Sequence, residues 1–237
     1  MNDVLNVVNL DAFYGKAQIL FGLNFSVKKG EIVSLIGRNG VGKTTLLKAI
    51  MNISVSKRGK VFLNGHDITS LPTHAIASKG IAYMPDYAGL IPGVSVLDNF
   101  RLAFGKKSVD LDFAYQVYPE VKSLLDRRAD SLSGGERKIV GLLRTFLMNP
   151  SVLLVDEPTE GGSTIIASRI YSIITRMKES GLSVLLVEQG IRYKILSQIA
   201  ERFLVMVNGK IVLETTSDRL GQEIDQIRKY LAVGGET

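Results

Sequence analysis

Apolar residues along the chain follow two spacings, and each spacing predicts one kind of element. Short, dense apolar runs are typical of strands, and those at 31–36 and 183–187 have the continuous character of buried strands. Apolar residues three or four apart predict helices over 134–148 and 166–177, ended by Pro150 and Gly181. Further strands are predicted at 4–12, 20–27, 60–63, 81–84, 152–155, 203–207 and 210–213. Further helices are predicted from Lys43, at 95–104, at 110–126 and at the C-terminus, where Leu220, Ile224, Ile227 and Leu231 share one face.

The order of these elements predicts an α/β fold with a β hairpin near each end. One hairpin turns near Gly15, and the other at Asn208-Gly209, a pair whose tolerance of positive φ favours a two-residue loop. Residues 86–149 include a more polar section that we interpret as a small helical lobe. No solenoid repeat and no Pro- or Ser-rich linker divides the sequence, so we predict a single domain over 1–237.

The composition narrows the function classes. With 237 residues and 46% apolar content, the chain can bury a sizeable core. Its longest apolar stretches, such as 139–143, are far short of the roughly 20 residues that span a bilayer. The N-terminus lacks the features of a secretory signal, so a cytosolic location is the default expectation. The net charge of +6 is spread along the chain, which argues against a nucleic-acid partner.

The segment Gly37-Arg38-Asn39-Gly40-Val41-Gly42-Lys43-Thr44 matches the P-loop pattern and lies between a predicted buried strand and a helix. Glycines let the backbone N–H groups point at phosphates, and the helix N-terminus adds the positive end of its dipole. We expect Lys43 to contact the β- and γ-phosphates of a nucleotide and Thr44 to offer its hydroxyl oxygen to Mg²⁺. The alternative, a plain glycine-rich turn, is disfavoured by the flanking elements.

Two adjacent acids follow the predicted strand at 152–155. Neighbouring side chains on a strand point in opposite directions, so Asp156 and Glu157 can take different roles. We expect Asp156 to hold Mg²⁺ through its water shell, and Glu157 to orient or deprotonate the water that attacks the γ-phosphate. The alternative is an acid pair in a surface turn, which the presence of a P-loop disfavours.

The segment Leu132-Ser133-Gly134-Gly135-Glu136 is a second candidate anion site. Ser133 can hydrogen-bond a phosphate oxygen, and Gly134-Gly135 let backbone amides approach a ligand at a helix N-terminus. Ser-Gly-Gly-Glu is also a reasonable helix cap, which is the alternative interpretation. Two phosphate-binding surfaces on one chain suggest two half-sites.

Together these motifs resemble those of the ABC (ATP-binding cassette) family, whose signature motif corresponds to 132–136. The resemblance runs nearly end to end and implies a P-loop NTPase of the ABC ATPase type. Its RecA-like core, a mainly parallel sheet with an antiparallel β subdomain, would comprise 1–85 and 150–237, and its small helical subdomain about 86–149. It also implies that ATP is held between the P-loop of one subunit and the signature of another in a head-to-tail dimer. The implied nucleotide contacts are Tyr14, Gly37, Asn39, Gly40, Val41, Gly42, Lys43, Thr44, Thr45, Ser133, Gly134, Gly135 and Glu136.

Three positions depart from the commoner family motifs. The Q-loop glutamine corresponds to Asp86, which keeps an oxygen ligand for the metal but adds a negative charge beside the phosphates. The switch histidine corresponds to Gln189, which can donate to the γ-phosphate but cannot carry the proton, so the base role rests on Glu157. The D-loop at 161–164 is glycine-rich, which favours flexibility. Tyr14 lies where the family stacks an aromatic ring on adenine; without the resemblance, a packing role is the usual interpretation.

Several segments resemble one importer branch of the family, which takes up branched-chain amino acids or urea and short amides. These segments are 39–48, 83–85, 156–161, 186–189 and 209–214. The resemblance implies an ATPase, peripheral on the inner face of the cell membrane, that works with transmembrane permeases docked near 86–94. It also implies a second ABC ATPase subunit, identical or homologous, and an extracytoplasmic solute-binding protein that acts indirectly. Two alternatives stay open: a cassette of another transport system, such as a lipid exporter, and an ATP-binding regulatory or assembly protein with little turnover.

Overall fold

The computed structural model describes residues 3–105, 110–189 and 193–233. The strands in these ranges are β1 (Asp3–Tyr14), β2 (Ala17–Lys28), β3 (Ile32–Gly37), β4 (Ser56–Leu63), β5 (His66–Asp67), β6 (Ile81–Met84), β7 (Val152–Asp156), β8 (Ser183–Gln189), β9 (Arg202–Val207) and β10 (Lys210–Thr216). The helices are α1 (Lys43–Met51), α2 (Thr73–Ser78), α3 (Val96–Phe104), α4 (Asp112–Val117), α5 (Gly134–Leu147), α6 (Thr164–Glu179), α7 (Tyr193–Leu196) and α8 (Ile224–Val233). Short 3₁₀ helices cover Pro119–Leu124 and Ala129–Ser131.

The strands form two sheets. The larger has the order β10-β9-β3-β8-β7-β6 and is parallel except for β10, which pairs antiparallel with β9. Every residue of β3 and β7 is buried, as expected of parallel strands covered on both faces. The smaller sheet, β2-β1-β4-β5, is antiparallel. The predicted fold class, a mainly parallel core sheet with an antiparallel part, is confirmed.

Two hydrophobic clusters lie on opposite faces of the large sheet. Alternate residues of β3 divide between them: Val33 and Leu35 belong to the cluster with α1 and the antiparallel sheet, whereas Ile32 and Ile36 belong to the cluster with α5 and α6. The second cluster continues through α3, α4 and 119–124, so the helices of the middle section share a core with the large sheet. The loop between β3 and α1 is therefore anchored at both ends in buried structure.

The turn between β9 and β10 brings the two sheets together beside that loop. Asn208 and Gly209 both have positive φ, at 45° and 73°, which matches the predicted two-residue hairpin. Gly209 N donates to Val41 O at 2.9 Å, and Phe21 N donates to Gly209 O at 3.0 Å. A Cβ at Gly209 would lie 1.9 Å from Ile19 O, so close approach of β2 also requires glycine here.

The prediction that Leu220 lies on the terminal helix is wrong. The helix α8 begins at Ile224, and Leu220 lies in a preceding turn, where its N–H donates to Thr216 O at 3.0 Å. Leu220 is nevertheless buried in the same cluster as Ile227. Its apolar character therefore reflects the packing of a turn on the core, which spacing alone does not distinguish from a helix face. The two-residue strand β5 is too short to produce a period and was not predicted.

Candidate nucleotide site

The P-loop, residues 37–44, wraps between β3 and the first turn of α1. Gly40 and Gly42 have φ of 82° and 110°, values that favour glycine. A Cβ at Gly42 would also lie 2.8 Å from Leu20 Cδ2, so packing against β2 gives a second reason for glycine. Gly42 is the N-cap of α1 and offers no side chain, so the first N–H groups of the helix remain available to an anion. This backbone fits a phosphate group.

Lys43 is buried and uses its ammonium group in three contacts. It donates to Gly37 O at 3.1 Å and to Arg38 O at 2.8 Å, and it forms an ion pair with Glu157 Oε1 at 2.9 Å. The two side chains of the pair are 3% and 11% exposed, so water screens their attraction poorly. The structure thus brings the predicted phosphate-binding lysine and the predicted base into direct contact.

Asp156 is buried at the end of β7, with its carboxylate between two hydroxyl groups. Thr44 Oγ1 donates to Asp156 Oδ1 and Tyr83 OH donates to Asp156 Oδ2, both at 3.2 Å. Burial raises the pKa of the Asp156 carboxyl, and the two hydrogen bonds oppose that rise. Burial and then the Asp156 charge raise the pKa of Tyr83, so its hydroxyl remains a donor. The oxygens of Thr44 and Asp156 are the ligands that Mg²⁺ prefers, and the pair fits that ion.

A cavity of about 270 Å³ opens over these groups. Its lining is Asn39, Gly40, Gly42, Lys43, Thr44, Thr45, Asp86, Asp156, Glu157 and Glu160. All of these except Glu160 are among the residues predicted from the sequence. Four carboxylates face one lysine in this lining, an excess of negative charge that a divalent cation would balance. Gln189 lies close by, and its Nε2 donates to Glu160 Oε1 at 3.5 Å.

The signature segment begins α5 and is not among the residues that line the cavity within the described ranges. Ser133 Oγ accepts from Glu136 N at 3.3 Å, and Ser133 N donates to Glu136 Oε2 at 2.8 Å. The helix-cap interpretation is therefore observed, but the Ser133 hydroxyl can still donate its own hydrogen to a ligand.

The two signature glycines have different surroundings. No described atom lies within 4 Å of a Cβ built on Gly134, so its backbone can be approached. A Cβ on Gly135 would lie 2.9 Å from Ile166 Cδ1, so that glycine is needed for packing α5 against α6. Ser133 and Gly134 are exposed, and so is Tyr14 at the end of β1. These groups are available to ligands or partners, but the chain does not bring them to its own P-loop cavity.

Several polar side chains at the site were not predicted. Glu188 is buried and accepts from Thr159 Oγ1 at 2.6 Å and Tyr171 OH at 3.0 Å, which links the loop after β7 to β8 and α6. Lys138 donates to Glu157 O at 3.1 Å. One signal for Glu188 was available: an acid that directly follows the buried run 184–187 needs a polar partner.

Comparisons with known proteins agree with this geometry. The ABC transporter family model matches residues 20–160, more than half of the chain. The chain belongs to the ABC transporter family. The ABC protein described here is similar to the probable branched-chain amino acid transport ATP-binding protein LivF of Archaeoglobus fulgidus, at 34% identity over 92% of this chain and 94% of LivF. It is similar to the high-affinity branched-chain amino acid transport ATP-binding protein BraG of Pseudomonas aeruginosa, at 33% identity over 92% of this chain and 94% of BraG. It is also similar to the lipopolysaccharide export system ATP-binding protein LptB of Escherichia coli K12, at 32% identity over 96% of each chain.

Solved structures show the same fold. A nucleotide-free ATP-binding cassette from an ABC transporter gives a TM-score of 0.85 at 24% identity, over 99% of this chain and 100% of the other. Another ATP-binding cassette of an ABC transporter, in its ADP conformation, gives a TM-score of 0.79 at 25% identity, over 98% of this chain and 100% of the other. The chain is therefore a nucleotide-binding ABC ATPase subunit of a transporter. Within the described ranges, none of the helices combines the length and apolarity needed to cross a bilayer.

Proposed function

We propose that this ABC ATPase binds Mg-ATP in the P-loop cavity and powers uptake of branched-chain amino acids, or of urea and short amides, through partner permeases. The observation that carries the proposal is the single cavity in which Lys43, Thr44, Asp156 and Glu157 meet. The cargo class is supported by the similarity to LivF and BraG.

The contacts of Lys43 suggest how hydrolysis begins. A bound γ-phosphate competes with Glu157 for the Lys43 ammonium group. Once Lys43 bonds phosphate oxygens, the Glu157 carboxylate is released to accept the proton of the attacking water. Gln189 can donate its amide hydrogen to the γ-phosphate but cannot take the proton. Thr44 and, through water, Asp156 would hold Mg²⁺, with Asp86 nearby, and the ion would neutralise charge on the phosphate oxygens.

The second half of each site would come from another subunit, identical or homologous. Ser133 and Gly134 are exposed at the start of α5, and Tyr14 is exposed at the end of β1. The signature of one subunit would close over the ATP held by the P-loop of the other, and Tyr14 would stack on the adenine. We assign 86–149 as the helical subdomain that presents the signature.

The permeases would dock at 86–94, and the subunit would then be peripheral on the inner face of the membrane. Asn99 is buried and holds this segment: it accepts from Ile91 N at 2.8 Å and donates to Ile91 O at 3.2 Å. Arg144 Nη1 donates to Gly89 O at 3.4 Å. Tyr87 is nevertheless 72% exposed, so an anchored loop presents an aromatic side chain to a partner. An extracytoplasmic solute-binding protein would act through those permeases.

The variant Glu157→Gln tests the catalytic part of the proposal. It preserves the shape of the site but removes the base, so we expect ATP to bind and remain unhydrolysed, with a loss of at least about 100-fold in kcat. In Mg-ATP its molecular mass, measured by light scattering, should shift to that of a dimer, alone or with a co-expressed homologous subunit. Lys43→Ala is the control that should neither bind tightly nor dimerise. Wild-type turnover in Glu157→Gln would contradict the role of Glu157.

A second candidate function is lipid export, which the similarity to LptB favours. Co-expression with candidate permeases, followed by reconstitution in liposomes, separates the importer from the lipid exporter. An importer should show ATPase stimulation by the solute-binding protein loaded with a branched-chain amino acid or with urea. Stimulation by lipopolysaccharide, with none by the loaded binding protein, would support export instead.

A further inference from the structure

Lys138 connects the signature helix to the backbone of the proposed base. It lies in α5, two residues after Glu136, and its half-buried side chain donates from Nζ to Glu157 O at 3.1 Å. The same carbonyl accepts from Glu160 N at 3.2 Å, and Glu157 N donates to Val187 O at 3.0 Å. Three hydrogen bonds from different parts of the chain therefore hold the backbone of this one residue.

The backbone of Glu157 needs such support. Its φ of 41° lies in the left-handed region, which is unfavourable for a residue with a Cβ and is kept only when surrounding contacts fix it. The backbone conformation determines the direction of the side chain, which here carries Oε1 to within 2.9 Å of Lys43 Nζ. A relaxation of φ to the common negative range would redirect the carboxylate away from that position.

The charge of Lys138 is matched to its surroundings. Burial lowers the pKa of Lys138, and the attraction of Asp86, Glu160, Glu188 and Asp156 opposes that effect. A neutral side chain in its place would leave these carboxylates with one positive neighbour fewer. The lysine thus supplies both a hydrogen-bond donor and a compensating charge.

We propose that Lys138 is a positioning residue: its bond to Glu157 O fixes the Glu157 backbone so that the carboxylate is held where it can act on the attacking water. The proposal rests on the proposed role of Glu157 as the base. It also gives a direct connection within one subunit, because a displacement of α5 would move the donor that holds Glu157. The signature helix would then influence hydrolysis in its own P-loop site as well as in that of a partner.

The test compares Lys138→Met, which removes the donor and the charge at similar length, with wild type and with the exposed-lysine control Lys79→Met. We expect Lys138→Met to lower kcat about tenfold while the Kd for a fluorescent ATP analogue changes less than twofold. Lys138→Arg, which retains a charged donor, should recover at least a third of the wild-type kcat. In a Glu157→Gln background, adding Lys138→Met should change single-turnover hydrolysis less than twofold, because the carboxylate that Lys138 would position is gone.

The outcomes separate this inference from the proposed function. An active wild type with an equally active Lys138→Met variant overturns the inference alone. So does a tenfold further loss in the Glu157→Gln background, a parallel loss of nucleotide affinity, or an arginine variant no better than methionine. If wild type hydrolyses ATP no faster than Lys43→Ala, the proposed function fails, and the inference fails with it.

Discussion

At the scale of single residues, the ion pair between Lys43 and Glu157 is the contact that we expect to oppose nucleotide binding. Both side chains are largely shielded from water, and all three Lys43 donors face protein oxygens. An incoming phosphate must therefore replace existing partners of Lys43. Of these, Glu157 is the charged one, and its removal leaves two backbone carbonyls that bind an ammonium group less strongly.

We therefore expect Glu157→Gln to bind ATP more tightly than wild type, about threefold to tenfold, because the competitor for Lys43 is neutral. The matched control is Glu160→Gln, which also removes a negative charge from the cavity lining. Isothermal titration calorimetry with ATP at fixed Mg²⁺ measures the ATP affinity of both variants and of wild type. Equal gains in the two variants would show that total cavity charge, and not the ion pair, limits affinity.

At the scale of elements, the helix α5 connects three parts of the molecule. It begins at the signature, and its Lys138 donates a hydrogen bond to Glu157 O. It also packs against Ala88, in the segment that follows β6. That last contact is close. A Cβ on Gly141 would lie 2.4 Å from Ala88 O and 2.8 Å from Ala88 Cβ. Ala88 itself has a φ of 69°, so the loop is held in a conformation that is costly for alanine. The helix and the proposed permease-docking loop therefore fit together with little freedom.

Gly141→Ala should lower the free energy of unfolding, because an overpacking cost of about 1–3 kcal/mol exceeds the gain of roughly 1 kcal/mol in helix propensity. Urea unfolding at constant pH measures the difference. The control is Gly221→Ala, where no described atom lies within 4 Å of the added Cβ, and a change within about 0.5 kcal/mol is expected. A Gly141→Ala variant as stable as wild type would contradict the close packing.

A second prediction for an element concerns Lys57 in β4, whose Nζ donates to Ala49 O near the end of α1 at 2.7 Å. Burial lowers the pKa of Lys57 to about 8, and the charge of Asp67 only partly opposes that shift. Between about pH 8 and 10.5 the unfolded chain then binds more protons than the folded one, so this residue makes stability rise with pH. The stability of Lys57→Met relative to wild type should therefore fall as pH increases from 7.5 to 9.5, approximately the window that this shift defines. Urea unfolding midpoints of the two proteins at pH 7.5 and 9.5 measure this difference. A pH-independent difference between Lys57→Met and wild type would contradict the lowered pKa.

The contrast between predicted and unpredicted features follows from how local each signal is. The P-loop, the pair Asp156-Glu157 and the segment 132–136 are short runs whose residue types specify their own backbone geometry, so the sequence alone located them. The contacts of Tyr83 with Asp156 and of Lys138 with Glu157 join elements far apart in the chain. Nothing in the local pattern around either residue indicates those contacts. The prediction that Leu220 lies on the terminal helix was wrong for a related reason. Leu220 is buried by tertiary neighbours of a turn, and the local spacing of apolar residues does not reveal those neighbours.

At the scale of the whole molecule, the signature segment is not among the described residues that line the P-loop cavity. The fold places the P-loop and the end of β7 around the cavity, and Ser133 and Gly134 are exposed at the start of α5. In the proposed dimer the second half of the site would come from another subunit, and the atypical Asp86 and Gln189 are compatible with a partner that is a different cassette. Hydrolysis still depends on the chemistry within this chain.

The most direct test of the account is the rate of phosphate release from the purified chain at high concentration with Mg-ATP, compared with Lys43→Ala. We expect measurable turnover in wild type and a loss of at least about 100-fold in the variant, because the proposed role of the Lys43 ammonium group is to contact the transferred phosphate. Equal rates in the two proteins would contradict the central claim and favour a regulatory or assembly role with little turnover.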